Sequence, residues 1–217
     1  MGVMVYLDTI LVPLSLFFTL GYHAHLWHSF KNKPCNTTIG INTLTRRAWF
    51  QDIAQGDNKK GMLAVQSLRN TIMATTLTAS IAILVNMALA ALVNNAFKAS
   101  GHLLTNPIFG SQSGRIVVVK FGSASLLLLV SFLCSSMSIG YLIDANILIN
   151  ACGEFSSPGH TQTIFERGFM LALIGNRVLY ITFPLMLWLL GPVLVALSSV
   201  ALIWVLYELD FSGKLTN

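Results

Sequence analysis

Apolar residues in this 217-residue chain come in long runs joined by more polar connections, without the alternation of a half-buried strand. A helix needs about 20 apolar residues to cross a hydrocarbon layer roughly 30 Å thick. Four runs reach that length: Met4 to Trp27, Ile72 to Val93, Phe121 to Ile143 and Pro184 to Leu206. Membrane β-strands are excluded, because they would read as alternating segments of about ten residues. A fifth run, Phe169 to Phe183, is shorter and carries Asn176 and Arg177. It reads as the inner part of the fourth helix, bent near Pro184, with a re-entrant or interfacial segment as the other reading.

Helix-forming sequence continues past the apolar runs. From Lys60 to Phe97, and again from Arg115 to Ala151, there is no Pro and little Gly, so both helices should overrun the bilayer. Thr161 to Phe183 reads as an amphipathic lead-in to the fourth. The expected fold is all-α: one polytopic transmembrane domain over residues 1–217, four helices with a basic cytosolic loop at 30–70 and a helical stalk continuing into the cytosol.

Lys and Arg give the orientation. Lys31, Lys33, Arg46, Arg47, Lys59, Lys60 and Arg69 follow the first span, and Arg167 and Arg177 precede the fourth. The opposite side would hold Lys98, Arg115, Lys120 and Lys214. The positive-inside rule then puts both termini outside the cytosol, in a plasma membrane or endomembrane protein. The Asn36-Thr37-Thr38 sequon would face the cytosol and stay unmodified.

Composition agrees with the class. Hydrophobic residues make up 54% and charged ones 10%, against about one quarter charged in soluble domains. Mean hydropathy is +0.70. Cys35, Cys134 and Cys152 lack CxxC spacing and read as free thiols. Met1 to Phe30 has neither a basic start nor a small-residue cleavage site, so it reads as a retained span. A myristoylation signal is not met, because Tyr6 stands where Ser or Thr is required.

Polar residues near the spans carry whatever chemistry there is. Arg69, Asn70, Asp144, Glu166, Arg167, Asn176 and Arg177 crowd the inner helix ends, and Asp144 is expected to pair with Arg69 or Arg177. That layer reads either as structural ion pairs or as a gate. On the second span Ala74, Thr78, Ala82, Asn86 and Ala90 form a small-residue stripe; Ser131, Cys134, Ser135 and Ser138 form another on the third. The stripes suit close helix packing or, alternatively, a polar conduit. His23, His25 and His28 cluster with Trp27; His25 and His28 could share a metal, but interfacial anchoring or a pH-sensitive contact fits better, so neither metal nor cofactor is expected. Asp8 is a lone carboxylate near the start of the first span. No GxSxG, HExxH, GxGxxG or P-loop signature occurs, so an enzyme is not expected, nor is nucleic-acid binding.

Several segments carry a resemblance. Thr38-Ile39-Gly40-Ile41-Asn42, Arg46-Arg47-Ala48-Trp49 and Ala64-Val65-Gln66-Ser67-Leu68-Arg69-Asn70, with Ile72-Met73 after them, are followed by Arg167-Gly168-Phe169, Asn176-Arg177, Trp188 and Gly191-Pro192. Over nearly its whole length the chain resembles the family catalogued as domain of unknown function 599. The resemblance implies a four-span membrane protein of the kind found in plants and bacteria, and brings no activity with it.

Two functions compete on these residues. One is a homo-oligomeric channel or transporter-like pore gated at the inner polar layer. The other is a non-enzymatic accessory or scaffold protein that binds a partner through its basic cytosolic face, a face also suited to anionic lipid. Elemental analysis of the pure protein would test the third, metal-dependent reading.

Overall fold

A computed structural model describes residues 2–54, 58–98, 114–150 and 157–211, and these are almost wholly helical. Six α-helices follow in order: α1 (Gly2–Asn32), α2 (Thr38–Ala54), α3 (Asn58–Lys98), α4 (Gly114–Asn150), α5 (Pro158–Leu187) and α6 (Pro192–Phe211), with a 3-10 turn at Pro34–Asn36 between the first two. The helices expected over Lys60–Phe97 and Arg115–Ala151 are found within two residues of those bounds, 41 and 37 residues long. Cys152 and Lys214 lie outside the described residues, as do the side chains of Lys59, Lys60, Lys98 and Arg115.

Among the described residues five helices are long and apolar enough to cross a membrane: Asp8–Asn32, Gly61–Asn95, Ile116–Asn150, Gly159–Leu187 and Pro192–Phe211. The single fourth span expected from sequence is therefore two helices. Its break is not at Pro184, which is buried while α5 runs on through it to Leu187. A membrane helix absorbs one lost N–H bond when its neighbours cover the kink. The chain turns instead at Trp188-Leu189-Leu190, where Gly191 takes a φ of 157° that a side chain would resist, and Pro192 opens α6 with its ring already set for a helix.

Two compact units share the chain: unit 1 holds residues 1–42, 86–127 and 180–217, and unit 2 holds 43–85 and 128–179. In unit 1, α1 packs along α6. The two run parallel: Asp8 near the start of α1 meets Trp188 just ahead of α6, and Tyr22 further along meets Asp210 at its end. First and last spans would be antiparallel in a four-span chain. Tyr22, Leu26 and Leu206 form the apolar floor of this pair, with Ile39, Leu202, Ile203 and Phe211 against it.

Unit 2 gathers Phe50 of α2, Leu68 of α3, Leu142 and Ala145 of α4 and Phe165 of α5 into one core. Its α4–α5 seam is held by backbone-directed hydroxyls: Ser131 Oγ donates to the Gly175 carbonyl at 2.7 Å, and Ser138 Oγ to that of Gly168 at 2.6 Å. Small residues permit this approach. A Cβ on Gly175 would stand 2.6 Å from Ser135 Oγ and 3.2 Å from the Ser131 carbonyl oxygen, and one on Gly168 would stand 2.8 Å from Leu142 Cδ2.

Large apolar side chains point outward instead. Met73, Leu77 and Leu84 on α3, Leu126, Leu133 and Met137 on α4, and Leu197, Val200 and Trp204 on α6 are all more than half exposed. Large apolar side chains turned outward on these helices suit contact with lipid.

Gly175→Ala is expected to destabilise the protein by about 1–3 kcal/mol, because the new methyl meets backbone as well as the Ser135 hydroxyl. Thermal unfolding in detergent reads the loss; an unchanged midpoint would show the seam is looser than described.

Candidate functional site

Asp8 and Lys120 form the one pair of opposite charges buried inside the apolar helices among the described residues. Asp8 is 5% exposed and Lys120 1%, and Lys120 Nζ lies 3.8 Å from Asp8 Oδ1. Asp8 Oδ1 also accepts a 2.9 Å hydrogen bond from Trp188 Nε1, whose ring centre is 5.5 Å from the ammonium. One tryptophan thus binds the anion through its edge and the cation through its face. Lys120 Nζ nevertheless has no hydrogen-bond acceptor among the described residues.

An ionised side chain deep in hydrocarbon costs about 3 kcal/mol or more, and attraction at about 4 Å returns some 4 kcal/mol at an effective dielectric constant near 20. Two such charges cost more than that attraction returns, so the surrounding fold must hold the pair, and losing one member leaves the other stranded. α1 continues the polar face away from this point. Asp8, Val12, Ser15, Thr19, Tyr22 and Leu26 recur at helical spacing and are all buried. Ser15 and Thr19 donate back to the Leu11 and Ser15 carbonyls, while Tyr22 Oη donates to Asp210 Oδ2 at 2.5 Å. Ser199 and Asp210 are the buried polar residues of α6.

Charges expected at the inner helix ends are arranged differently. Arg69, Asn70, Asp144 and Arg167 are exposed, and Asp144 pairs with neither Arg69 nor Arg177; an acid at the end of a long helix can remain hydrated and needs no partner. Glu166 instead takes a bidentate bond from Arg47 of α2, at 2.8 and 2.7 Å, and a third from Gln162 at 2.9 Å. The bond with Glu166, and then its charge, raise the Arg47 pKa, whereas burial lowers that of Arg46, whose guanidinium stacks 4.0 Å from the Phe169 ring centre. Asn176 and Arg177 are half-buried and engaged.

The stripes divide likewise. Ser131, Ser135 and Ser138 are fully buried on α4, but α3 buries Thr75, Ala79, Ala82 and Leu89, and leaves Thr78 and Asn86 partly exposed. Ser131 and Ser138 are spent on α5 carbonyls, and the Asn86 Oδ1 atom is buried without a donor. His25 stacks on Phe211, and the Asn32 amide donates to His28 Nε2 at 2.9 Å. No three metal-binding side chains converge among the described residues. Cys35 and Cys134 are free.

Lys120, read from sequence as a cation of the outer connection, is buried on α4 instead; Trp188 was named only in the family resemblance, and Tyr22 and Asp210 were not singled out. The legible signal for Lys120 was a cation set between Val117-Val118-Val119 and Phe121, inside an apolar run, where it must find an anion.

Lys120→Met alone, or Asp8→Asn alone, is expected to cost about 3–5 kcal/mol, and the double variant less than the sum. Detergent unfolding of all three tests the coupling, and additive losses would refute a working pair.

Neither a curated protein nor a solved structure matches the chain. A family model does match, over residues 10–215, and by it the chain belongs to the family described as protein of unknown function, DUF599.

Proposed function

We propose that this integral membrane protein is a transporter-like conductor of small ions or protons that works through the buried polar face of α1 and α6 in unit 1. The observation that carries this reading is the Asp8–Lys120 pair. An ionisable pair held within membrane helices is by default a functional group, since an apolar pair would pack there at lower cost. A second carboxylate, Asp210, lies further along the same face beneath Tyr22, so charge-bearing groups occur near both ends of α1. In this reading the protein is non-enzymatic, and the exposed apolar faces of α3 and α4 serve lipid or a homo-oligomeric contact.

Five crossings complete the topology. The basic connection 30–70 lies in the cytosol with the carboxyl end, and the amino end lies outside, so the two termini stand on opposite sides. This replaces the same-side termini expected from four spans. Both α3 and α4 exceed the length a bilayer needs, and their inner ends extend into the cytosol.

A scaffold reading is favoured by one observation, the charged surface where α2 lies on α5. Arg47, Glu166 and Arg167 line an open groove there, and the basic connection 30–70 suits anionic headgroups.

Purified protein in liposomes is expected to dissipate an imposed proton or alkali-cation gradient, with Lys120→Met and Asp8→Asn abolishing the flux. Wild-type liposomes that stay tight to protons, Na⁺, K⁺ and Cl⁻ would leave the scaffold as the better account. Terminal tags probed on intact cells should label on opposite faces; labelling on one face would return the chain to an even number of crossings.

A further inference from the structure

We infer that the groove between α2 and the first turns of α5 binds the phosphate of an anionic glycerophospholipid, clamped by Arg167 and walled by the Arg47–Glu166 pair. This deepens the anionic-lipid contact of the basic connection by giving it a site, and it does not depend on transport.

The groove holds about 560 Å³, within the range of small-ligand sites, and is lined by Arg47, Gln162, Thr163, Glu166, Arg167 and Met170, with Gly159 leaving it open. Two guanidinium groups face one carboxylate. That carboxylate is saturated, because Glu166 Oε1 takes Arg47 Nε and Gln162 Nε2 while Oε2 takes Arg47 Nη2. Arg167 is exposed, with no acid paired to it among the described residues, so its fork of donors is available to a phosphate. The surplus positive charge calls for an anion.

Position argues for a lipid as its source. The candidate span of α5 begins at Gly159, so in the five-crossing reading the groove sits at the end of a span, within reach of lipid headgroups. Thr163, Arg167, Met170 and Ile174 recur at i, i+4, i+7 and i+11 on one face of α5, passing from hydroxyl to cation to thioether to branched alkyl. Ile174 is 39% exposed and Met170 partly so. A phosphate at Arg167 would leave its acyl chains lying along Met170 and Ile174. A soluble phosphate would use the cation and leave that apolar track bare.

The test uses the whole chain in a neutral detergent, titrated with dioleoylphosphatidylglycerol, dioleoylphosphatidylcholine or inorganic phosphate and read by thermal unfolding and by lipid retained in native mass spectrometry. Phosphatidylglycerol is expected to raise the midpoint, with phosphatidylcholine and phosphate having little effect. Arg167→Gln should weaken the apparent affinity about fivefold, the weight of one cation near an anionic headgroup. Lys33→Gln, an exposed cation of the basic connection outside the groove, should weaken it distinctly less than Arg167→Gln. Equal shifts with both lipids would overturn the proposal, as would an Arg167→Gln protein that binds like wild type. A response to inorganic phosphate alone would make the ligand a soluble phosphate and also overturn it. Equal weakening by Lys33→Gln would reduce the contact to the diffuse attraction of the basic connection, which would itself survive.

Discussion

Inside a bilayer no water is present to satisfy a polar group, so every hydroxyl, amide and charge within the helices must be answered by another part of the protein. Most of the answers here are local. Ser15, Thr19 and Thr75 each turn a hydroxyl onto a carbonyl four residues back, which hides the group without choosing a neighbour. A smaller set reaches across to another helix. Ser131 and Ser138 bind carbonyls of α5, Trp188 binds Asp8 of α1, and Tyr22 binds Asp210 of α6. Those cross-helix bonds specify which helices lie together, a choice that the uniformly oily outer faces could not make.

Within unit 1 this constraint explains why the turn after α5 is as particular as it is. Gly191 and Pro192 start α6 so that it runs parallel to α1, and Trp188, three residues earlier, covers the Asp8–Lys120 pair from the turn itself. The parallel course then carries Asp210 to Tyr22 at the far end. A turn placed at Pro184 would lengthen α6 by two helical turns and take the tryptophan out of a loop, where its ring can meet both members of the pair at once.

The sequence made the class of fold plain and its count of crossings less so. Runs of Leu, Val and Ile longer than a bilayer admit little but helices in lipid, and the ends of α3 and α4 followed from the absence of Pro and Gly. Residues 169–206 were harder, because Pro184 is a strong breaker in water and a weak one among packed helices, while Gly191-Pro192 stands inside an apolar run that masks it. The inner layer of charges was legible as composition but not as pairing. Arg47 meets Glu166 because α2 is a helix of its own lying on α5, a placement that spacing along the chain does not reveal. On α3 the buried small-residue face runs through Thr75, Ala79 and Ala82 and shares Ala82 with the expected stripe, whose Ala74 and Ala90 are exposed, since several small residues shared each turn and periodicity could not choose among them.

The two ion pairs differ in how fully their bonds are satisfied. Arg47 is half exposed, and its planar fork already matches both oxygens of Glu166, so the pair contributes on the order of 1 kcal/mol and has little left to offer a third group except the charge it lends its groove. Lys120 is enclosed, and its ammonium has three donors with a carboxylate oxygen only at 3.8 Å, too far for a hydrogen bond. Such a cation is held by charge and by the face of Trp188, not by a saturated set of bonds. A saturated pair resists change, whereas an unsaturated one can accept an ion, a water or the exchange of a proton without first breaking what holds it. Among the described residues Lys120 is the buried cation left in that state, and this is what supports the transport proposed for unit 1.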